Sequence, residues 1–552
     1  MSGRSVMRWI LGRVFALPPR QQRRLLVDTD IAVPMRDGIH LLTDHIYSHG
    51  SPKAPVVLIR SCYGRGALFG VMAGLIAERG FQVIAQSVRG TSGSGGVMDP
   101  MRQEQDDGHD TVAWIRAQPW FGGQLYTFGV SYLGNAAWAL SNGLPEQVNG
   151  LGLVLTLSNF RDELLSFGGY TQQGTLGWTT LMQNMVDFVP GRRMQRPDTK
   201  ALDPVHNHLP VGELDMKATG KTIAWWQDWV THDDPKDCWW HAIDHSASAA
   251  DLQAPTTMIA GWQDIFLPFQ ISDFVARQRA GRPAYLTIGP WHHASVQGMI
   301  AGLRESIAFF QALSRSQPPY PNRQAVRLYL QGANQWREYP CWPPADVQPV
   351  ALYLRWGSGS GTLNTAAPEG PEPSQYYTYD PANPTPSMHG PSAMGHSKVR
   401  DMTALRDRPD TIMFTGEPLL LDTDIIGPVS VELAIRSNRE HTDFFVCLCD
   451  VDKTGRPMQV ADGYVRLRPD HSVATPAGVR NIRIECWPTA WRFKRGHCIG
   501  LIVASGAHPR YSRNLGTGEP LATAVAMVTA AQELLLGAQY APRLNLLQVP
   551  AK

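Results

Sequence analysis

The stretch Gly129-Val130-Ser131-Tyr132-Leu133-Gly134 constrains this 552-residue chain more than any other. It follows an apolar, strand-like run from Leu125 to Phe128 and leads into a helix-like run from Asn135 to Leu140. A serine between small residues at a strand-to-helix junction has the form of a nucleophile elbow. Such a turn is tight enough to strain the serine backbone, and only small neighbours clear it. The hydroxyl then stands at the top of a sheet above a helix N-terminus, where the helix end and the Tyr132 N–H can stabilise an oxyanion. An ordinary strand–loop–helix with a surface serine reads the same way in isolation, so the weight falls on what lies downstream.

Two further runs complete a set. Residues 256–269 form a short apolar strand ending in a turn that carries Asp264. Residues 284–293 form another, ending in Gly289-Pro290 with His292 and His293 just beyond. The order Ser131, Asp264, His293 is the Ser…Asp…His order of α/β-hydrolases. Each residue sits at the C-terminal end of a strand, where open α/β sheets place their ligands. The chemistry needs these three types. Serine is a weak nucleophile until an imidazole takes its proton, and the imidazole needs a carboxylate to fix its tautomer and stabilise its cation. Taken singly, Asp264 could cap the following segment and the histidine pair could be a solvated loop.

These motifs resemble those of the CocE/NonD serine hydrolases, the cocaine esterase and X-prolyl dipeptidyl-peptidase group. The family elbow is Gly-x-Ser-Tyr-x-Gly, matched by Gly129 to Gly134. Its acid lies in Gly-Trp-x-Asp, matched by Gly261 to Asp264, and its base in Gly-Pro-Trp-x-His, matched by Gly289 to His293. That frame selects His293 over His292. The resemblance implies a second oxyanion donor, a tyrosine hydroxyl just after the first central strand, which falls on Tyr63. It also implies that Phe266 lines the acyl pocket, and that a helical cap with large aromatics such as Trp178 shapes the substrate site. Most of the chain is covered, including Asp37-Gly38, Val88-Arg89-Gly90, Asp107 to Val112, and Arg510 to Asn514. One departure is Ser87, where the family commonly has aspartate, so the hydrogen bonding there must differ.

Composition narrows the classes. With 43% hydrophobic residues the chain can bury large cores, and a net charge of +2 with dispersed charges gives no basic stripe for nucleic acid. Seven cysteines without regular spacing do not form a disulfide scaffold or zinc ribbon; Cys447 and Cys449 would share one face of a strand. A reducing, cytoplasmic setting is the simplest reading. Residues 1–27 form an amphipathic segment closed by Pro18-Pro19, with Arg13 interrupting any signal-peptide core. It could pack on the body or lie on a membrane surface. No apolar run reaches transmembrane length. His241 and His245, with Asp244 between them, have metal-binding spacing but no third ligand in a known frame, so they read as a solvated helix face and no metal is expected. Gly90 to Gly96 lacks a dinucleotide-binding frame, and no cofactor is called for.

The chain reads as an α/β-hydrolase catalytic domain with an inserted helical cap, followed by an all-β jelly-roll domain. Strand–helix alternation covers 28–160 and 250–316, the cap 161–249, and short alternating strands 317–552. Residues 357–398 read as a long excursion outside the core, and the β-domain surface could support a homodimer. The expected activity is cleavage of small-molecule esters or amides through an acyl-enzyme. The alternatives are an Xaa-Pro dipeptidyl-peptidase or acylase, for which Asp162 and Glu163 could anchor a substrate amine, and a non-catalytic binding protein on a hydrolase scaffold.

Overall fold

Among the described residues one sheet has ten strands, and its first eight position the site: β1 Leu26–Pro34, β2 His40–Tyr47, β3 Val56–Ser61, β4 Gln82–Ser87, β5 Leu125–Val130, β6 Gly150–Val154, β7 Thr256–Gln263 and β8 Ala284–His292. They lie in the order β1-β2-β4-β3-β5-β6-β7-β8 in a computed structural model describing residues 3–144, 148–187, 199–388, 401–470 and 474–550. β1, β2 and β4 pair antiparallel, and every later neighbour is parallel. Parallel strands covered on both faces should read as unbroken apolar runs. β3, β4 and β6 are buried at every residue.

Helix α1 Gly3–Val14 precedes the first strand, and further helices return the chain between strands: α2 Ala67–Ala77, α3 Glu104–Arg116, α4 Tyr132–Ser141, α5 Leu267–Arg279 and α6 Val296–Ser314. All ten residues of α4 are buried, including Trp138 at 0% exposure. Close packing onto the sheet requires small residues. A Cβ on Gly152 of β6 would come within 2.5 Å of Ser306 in α6, and one on Gly302 of α6 within 2.5 Å of Val154. After β3 the chain turns to β4 on one side, and after β4 it crosses to β5 on the other. This reversal opens a crevice beyond the C-terminal ends of β3 and β5.

The chain divides into two units. One comprises Met1–Arg161, Thr180–Pro197 and Cys238–Arg327; the other Asp162–Thr179, Asp198–Asp237 and Leu328–Lys552. The division runs through the segment expected as a cap and through the strand Val326–Leu330. The second unit is a β-sheet of eleven strands in which Thr423–Ser437 pairs with Arg480–Phe493, Ala530–Leu535 and Arg543–Gln548, closing the sheet on itself as a jelly roll does. Trp226 and Trp229 of this unit are buried. Cys447 and Cys449 place their sulfurs 3.7 Å apart on one strand face, as thiols.

Two expectations are corrected. The stretch 357–388 is not outside the core: Ser360–Asn364 and Gln375–Tyr379 are sheet strands, with Leu363, Tyr377 and Tyr379 buried. Gly and Ser at the hairpin Gly357–Ser360 supply the tight turn and mask the strands that flank it. Residues 389–398 lie outside the described residues. Nor are His241 and His245 on one solvated face. A 3-10 turn, Cys238–Ile243, ends before His245, which is buried, while His241 is exposed.

His245 is 1% exposed, and neither ring nitrogen finds a partner among the described residues. Burial lowers its pKa from 6.5 to about 4, with Asp244 opposing and His109 adding to the shift. A folded-state pKa below the unfolded value means that the unfolded chain takes up the proton first. Stability from the neutral ring is therefore present above pH 6.5 and lost as pH falls towards 4, by roughly 3 kcal/mol at full extent. The thermal midpoint is expected to fall across this window, and His245→Phe to flatten the fall; an unchanged pH profile in the variant would contradict this assignment.

Candidate active site

Strand ends bring the expected residues together. β3 and β5 pair with Val56 opposite Leu125 and Leu58 opposite Thr127, so Ser61 and Val130 end the two strands level with each other. Ser131 follows β5 with φ of +58° and ψ of −125°, a region that non-glycine residues rarely adopt. Its surroundings leave no alternative path. A Cβ on Gly129 would sit 2.1 Å from the Leu133 carbonyl, and one on Gly134 2.5 Å from the Thr156 side chain. Ser131 N–H donates to the Val154 carbonyl at 2.9 Å, and Thr156 Oγ1 donates to the Ser131 carbonyl at 2.7 Å. The N–H groups of Gly134 and Asn135 also converge on that carbonyl, starting α4.

Asp264 follows β7 and His293 follows β8. β8 carries one extra residue against β7 between the pairs Gly261–Gly289 and Gln263–His292. Such a bulge re-aims the side chains beyond it. Trp291 folds into the space left by both glycines: a Cβ on Gly261 would meet the Trp291 carbonyl at 2.3 Å, and one on Gly289 the indole at 2.5 Å. This is the steric reason for glycine in both motifs.

His293 then bridges the other two. Nδ1 lies 2.7 Å from Asp264 Oδ1, and Nε2 lies 2.9 Å from Ser131 Oγ. A carboxylate can only accept, so Nδ1 carries the proton, leaving Nε2 as the acceptor for the serine hydroxyl. Asp264 is fully buried and His293 is largely so. The Phe266 ring stands edge-on to His293 with centroids 4.9 Å apart, and Phe160 packs edge-on to Phe266 at 5.3 Å. An imidazole fixed between acceptor and donor, beside an apolar aromatic wall, can carry a proton to and from the serine oxygen.

The other expected residues fall as follows. Tyr63 lies two residues past the end of β3, its N–H donating to Ser61 Oγ at 3.0 Å and its ring stacked on Phe69 at 5.8 Å. Tyr132 opens α4, so its N–H lies at the helix N-terminus beside Ser131. Trp178 belongs to the second unit, where it is partly buried and its indole packs 5.9 Å from Trp229. Asp162 and Glu163 lie in the first turn of the short helix Phe160–Leu164, and Glu163 is buried with its Oε1 3.3 Å from Thr171 Oγ1. Ser87 accepts from Arg65 Nη1 at 2.5 Å, and Arg65 also reaches Asp44 and Asp30. The carboxylates that the family pattern would place at Ser87 are here supplied by the β1–β2 hairpin. Among the described residues, no cluster of three metal-ligating side chains occurs.

Sequence reasoning missed what holds the elbow from behind. Tyr132 Oη donates to Glu104 Oε1 at 2.7 Å and accepts the Met101 N–H at 3.2 Å. Arg60 Nη1 lies 2.7 Å from Glu104 Oε2, and all three side chains are buried. Burial raises the Glu104 carboxyl, against the pull of Arg60, and burial beside Glu104 keeps the Tyr132 phenol protonated. On the other side, Ser158 donates to Asp273 of α5 through N–H and Oγ, at 2.9 and 2.5 Å. An arginine inside the apolar run of β3 was the visible signal; its partner, more than forty residues on, was not.

Residues 37–295 match the X-Pro dipeptidyl-peptidase (S15 family) model, and residues 322–545 match that of the X-Pro dipeptidyl-peptidase C-terminal non-catalytic domain. A cocaine esterase from Rhodococcus sp. (strain MB1 Bresler) is 29% identical over 546 residues, covering 90% of this chain and 93% of the relative. An aminopeptidase structure from a marine sediment Thaumarchaeota archaeon superposes with a TM-score of 0.81 at 20% identity, covering 97% and 99% of the two chains. An α-amino acid ester hydrolase gives 0.78 at 21% identity, covering 97% and 98%. The last two likenesses establish the fold.

Gly129→Ala is expected to close the turn sterically. It should abolish reaction with a fluorophosphonate probe while leaving the β-unit folded; probe labelling at the unaltered rate would contradict the elbow geometry. The strand-end motifs, the two domain matches and the full-length relative together show that the chain belongs to the S15-type CocE/NonD family of serine hydrolases, the family of cocaine esterase and X-Pro dipeptidyl-peptidase.

Proposed function

We propose that this hydrolase cleaves small-molecule esters by acyl transfer, with Ser131 as nucleophile, His293 as general base and acid, and Asp264 as the group that orients His293. The observation that carries this reading is the hydrogen-bonded chain from Asp264 through His293 to Ser131, at 2.7 and 2.9 Å. Ser131 Oγ attacks the carbonyl as Nε2 takes its proton. The tetrahedral oxyanion is met by the Tyr132 N–H and the Tyr63 hydroxyl. His293 returns the proton to the leaving alcohol, and water then repeats the sequence on the acyl-enzyme.

Ester rather than peptide chemistry is favoured by the wall beside the base. Phe266 and Phe160 offer an apolar, aromatic surface to an acyl group. A dipeptidyl-peptidase requires a carboxylate to hold the substrate's free amine, and Glu163, the buried member of the Asp162–Glu163 pair, is the group that would have to supply it. The match to the X-Pro dipeptidyl-peptidase model supports the peptidase as the second reading.

Purified protein is expected to hydrolyse p-nitrophenyl esters from acetate to benzoate and to leave Gly-Pro-p-nitroanilide intact. Ser131→Ala should reduce ester turnover by about 10⁴-fold or more, and Tyr63→Phe by about 10²- to 10³-fold. Ester turnover that survives Ser131→Ala would overturn the assignment of the nucleophile. Anilide cleavage lost in the same variant would keep the nucleophile and change the bond.

A further inference from the structure

Helix α1 is docked the wrong way round for a helix that only packs on its own protein. Its two buried residues among those described, Ser5 and Gly12, are small, and Arg8 and Leu11 are half-buried beside them. Arg8 Nε reaches Glu78 Oε1 at 2.9 Å, Arg20 joins the same oxygen at 2.8 Å, and Arg20 also donates to Ser5 Oγ at 3.3 Å. Glu78 is fully buried and also pairs with Arg79 at 3.4 Å, so Arg8 is the one of its three cationic partners that α1 supplies. Close approach is permitted by glycines: a Cβ on Gly74 of α2 would meet Arg8 at 2.8 Å, and one on Gly12 would meet Arg79 at 2.3 Å.

The outward side is apolar. Val6, Met7, Trp9, Ile10 and Val14 fall on one face and are 40%, 42%, 41%, 49% and 71% exposed. They account for five of the sixteen large exposed apolar side chains among the described residues. That concentration on one twelve-residue helix is not the scatter expected of a surface. The accompanying charge is of one sign. Residues 1–27 hold six arginines and no acidic residue, although the whole chain carries only +2. Of these, Arg13, Arg23 and Arg24 are exposed, and the Arg13 guanidinium lies over the Trp9 ring at 4.5 Å. An arginine stacked on an exposed tryptophan covers the ring while keeping its charge at the surface.

We propose that the exposed face of α1 is a docking surface for an anionic lipid bilayer, on which the protein sits peripherally. Val6, Met7, Ile10 and Val14 would enter the boundary between headgroups and acyl chains. Trp9 would sit at the headgroup level, and Arg13, Arg23 and Arg24 would pair with lipid phosphates and carboxylates. The charge complementarity selects an anionic bilayer over a second copy of this chain, which would bring the same arginines face to face. This inference does not depend on the ester chemistry proposed above.

Cosedimentation of the full chain with vesicles tests it. The probes are large vesicles of phosphatidylcholine containing about 30% phosphatidylserine, and vesicles of phosphatidylcholine alone. Binding to the anionic vesicles is expected, with about 100-fold weaker binding to the neutral ones, at about 5-fold for each of three arginines. The double variant Ile10→Glu/Val14→Glu should lose at least about 100-fold in partitioning, and the triple variant Arg13→Gln/Arg23→Gln/Arg24→Gln a similar factor. All substituted positions are exposed, and unchanged thermal midpoints would show that the variants are folded. Three results would overturn the proposal: equal binding to both vesicle types, binding unaffected by either variant, or no cosedimentation. A concentration-dependent dimer that Ile10→Glu/Val14→Glu dissociates, without vesicle binding, would also overturn it and assign the face to a second copy.

Discussion

Ser131 holds a backbone conformation, φ +58° and ψ −125°, that costs on the order of 1–3 kcal/mol and persists only where the surroundings leave no other. Much of the first unit is arranged to provide those surroundings. Gly129 and Gly134 remove the atoms that would collide with Leu133 and Thr156. The Ser131 carbonyl accepts from Thr156 Oγ1 and from two N–H groups of α4, and its N–H is tied to β6. A parallel sheet supplies the rest. With β5, β7 and β8 running the same way, their C-terminal ends fall on one edge, and three residues distant in sequence meet there. The Asp264–His293–Ser131 distances follow from strand register and one bulge.

Behind the elbow the chain buries charge. The Arg60–Glu104–Tyr132 group lies beneath the start of α4, fixing the Tyr132 side chain and with it the peptide that joins Tyr132 to Ser131. Buried charges of this kind add little net stability, because desolvation offsets the attraction. Removing one partner is costly, since the remaining charge then has no compensation. Such a group acts mainly by permitting one arrangement and penalising others. Asp273 does the same on the far side, where its carboxylate fixes Ser158 in the loop following β6. One of the two proposed oxyanion donors is the Tyr132 backbone N–H, so the rigidity of this peptide is what the chemistry would use.

What could be read in the sequence was what is local. The apolar run Leu125 to Phe128 marked β5 to within about two residues, because buried parallel strands have no polar face to blur the pattern. The positions of Ser131, Asp264 and His293 were legible because each lies in a short motif whose glycines answer to a nearby collision. Longer-range facts were not. Arg60 and Glu104 are separated by a helix, a strand and three loops, and no periodicity links them. Burial of His245 depends on the chain ending a 3-10 turn two residues earlier, and the i, i+4 spacing that suggested a shared helix face has no meaning there. The strands Ser360–Asn364 and Gln375–Tyr379 were hidden by a composition dominated by turn residues. The amphipathic pattern near the N-terminus was visible, but the direction it faces was not, because Arg8 is drawn inward by Glu78.

The central claim is that Ser131 becomes covalently acylated during turnover. The most direct measurement is mass spectrometry of the protein quenched while turning over a slowly deacylating p-nitrophenyl benzoate, followed by peptide mapping. The account predicts a mass increase equal to one benzoyl group, carried by the peptide containing Ser131 and absent when His293 is replaced by alanine. A benzoyl group on any other residue, or full turnover with no acylated species under single-turnover conditions, would contradict it.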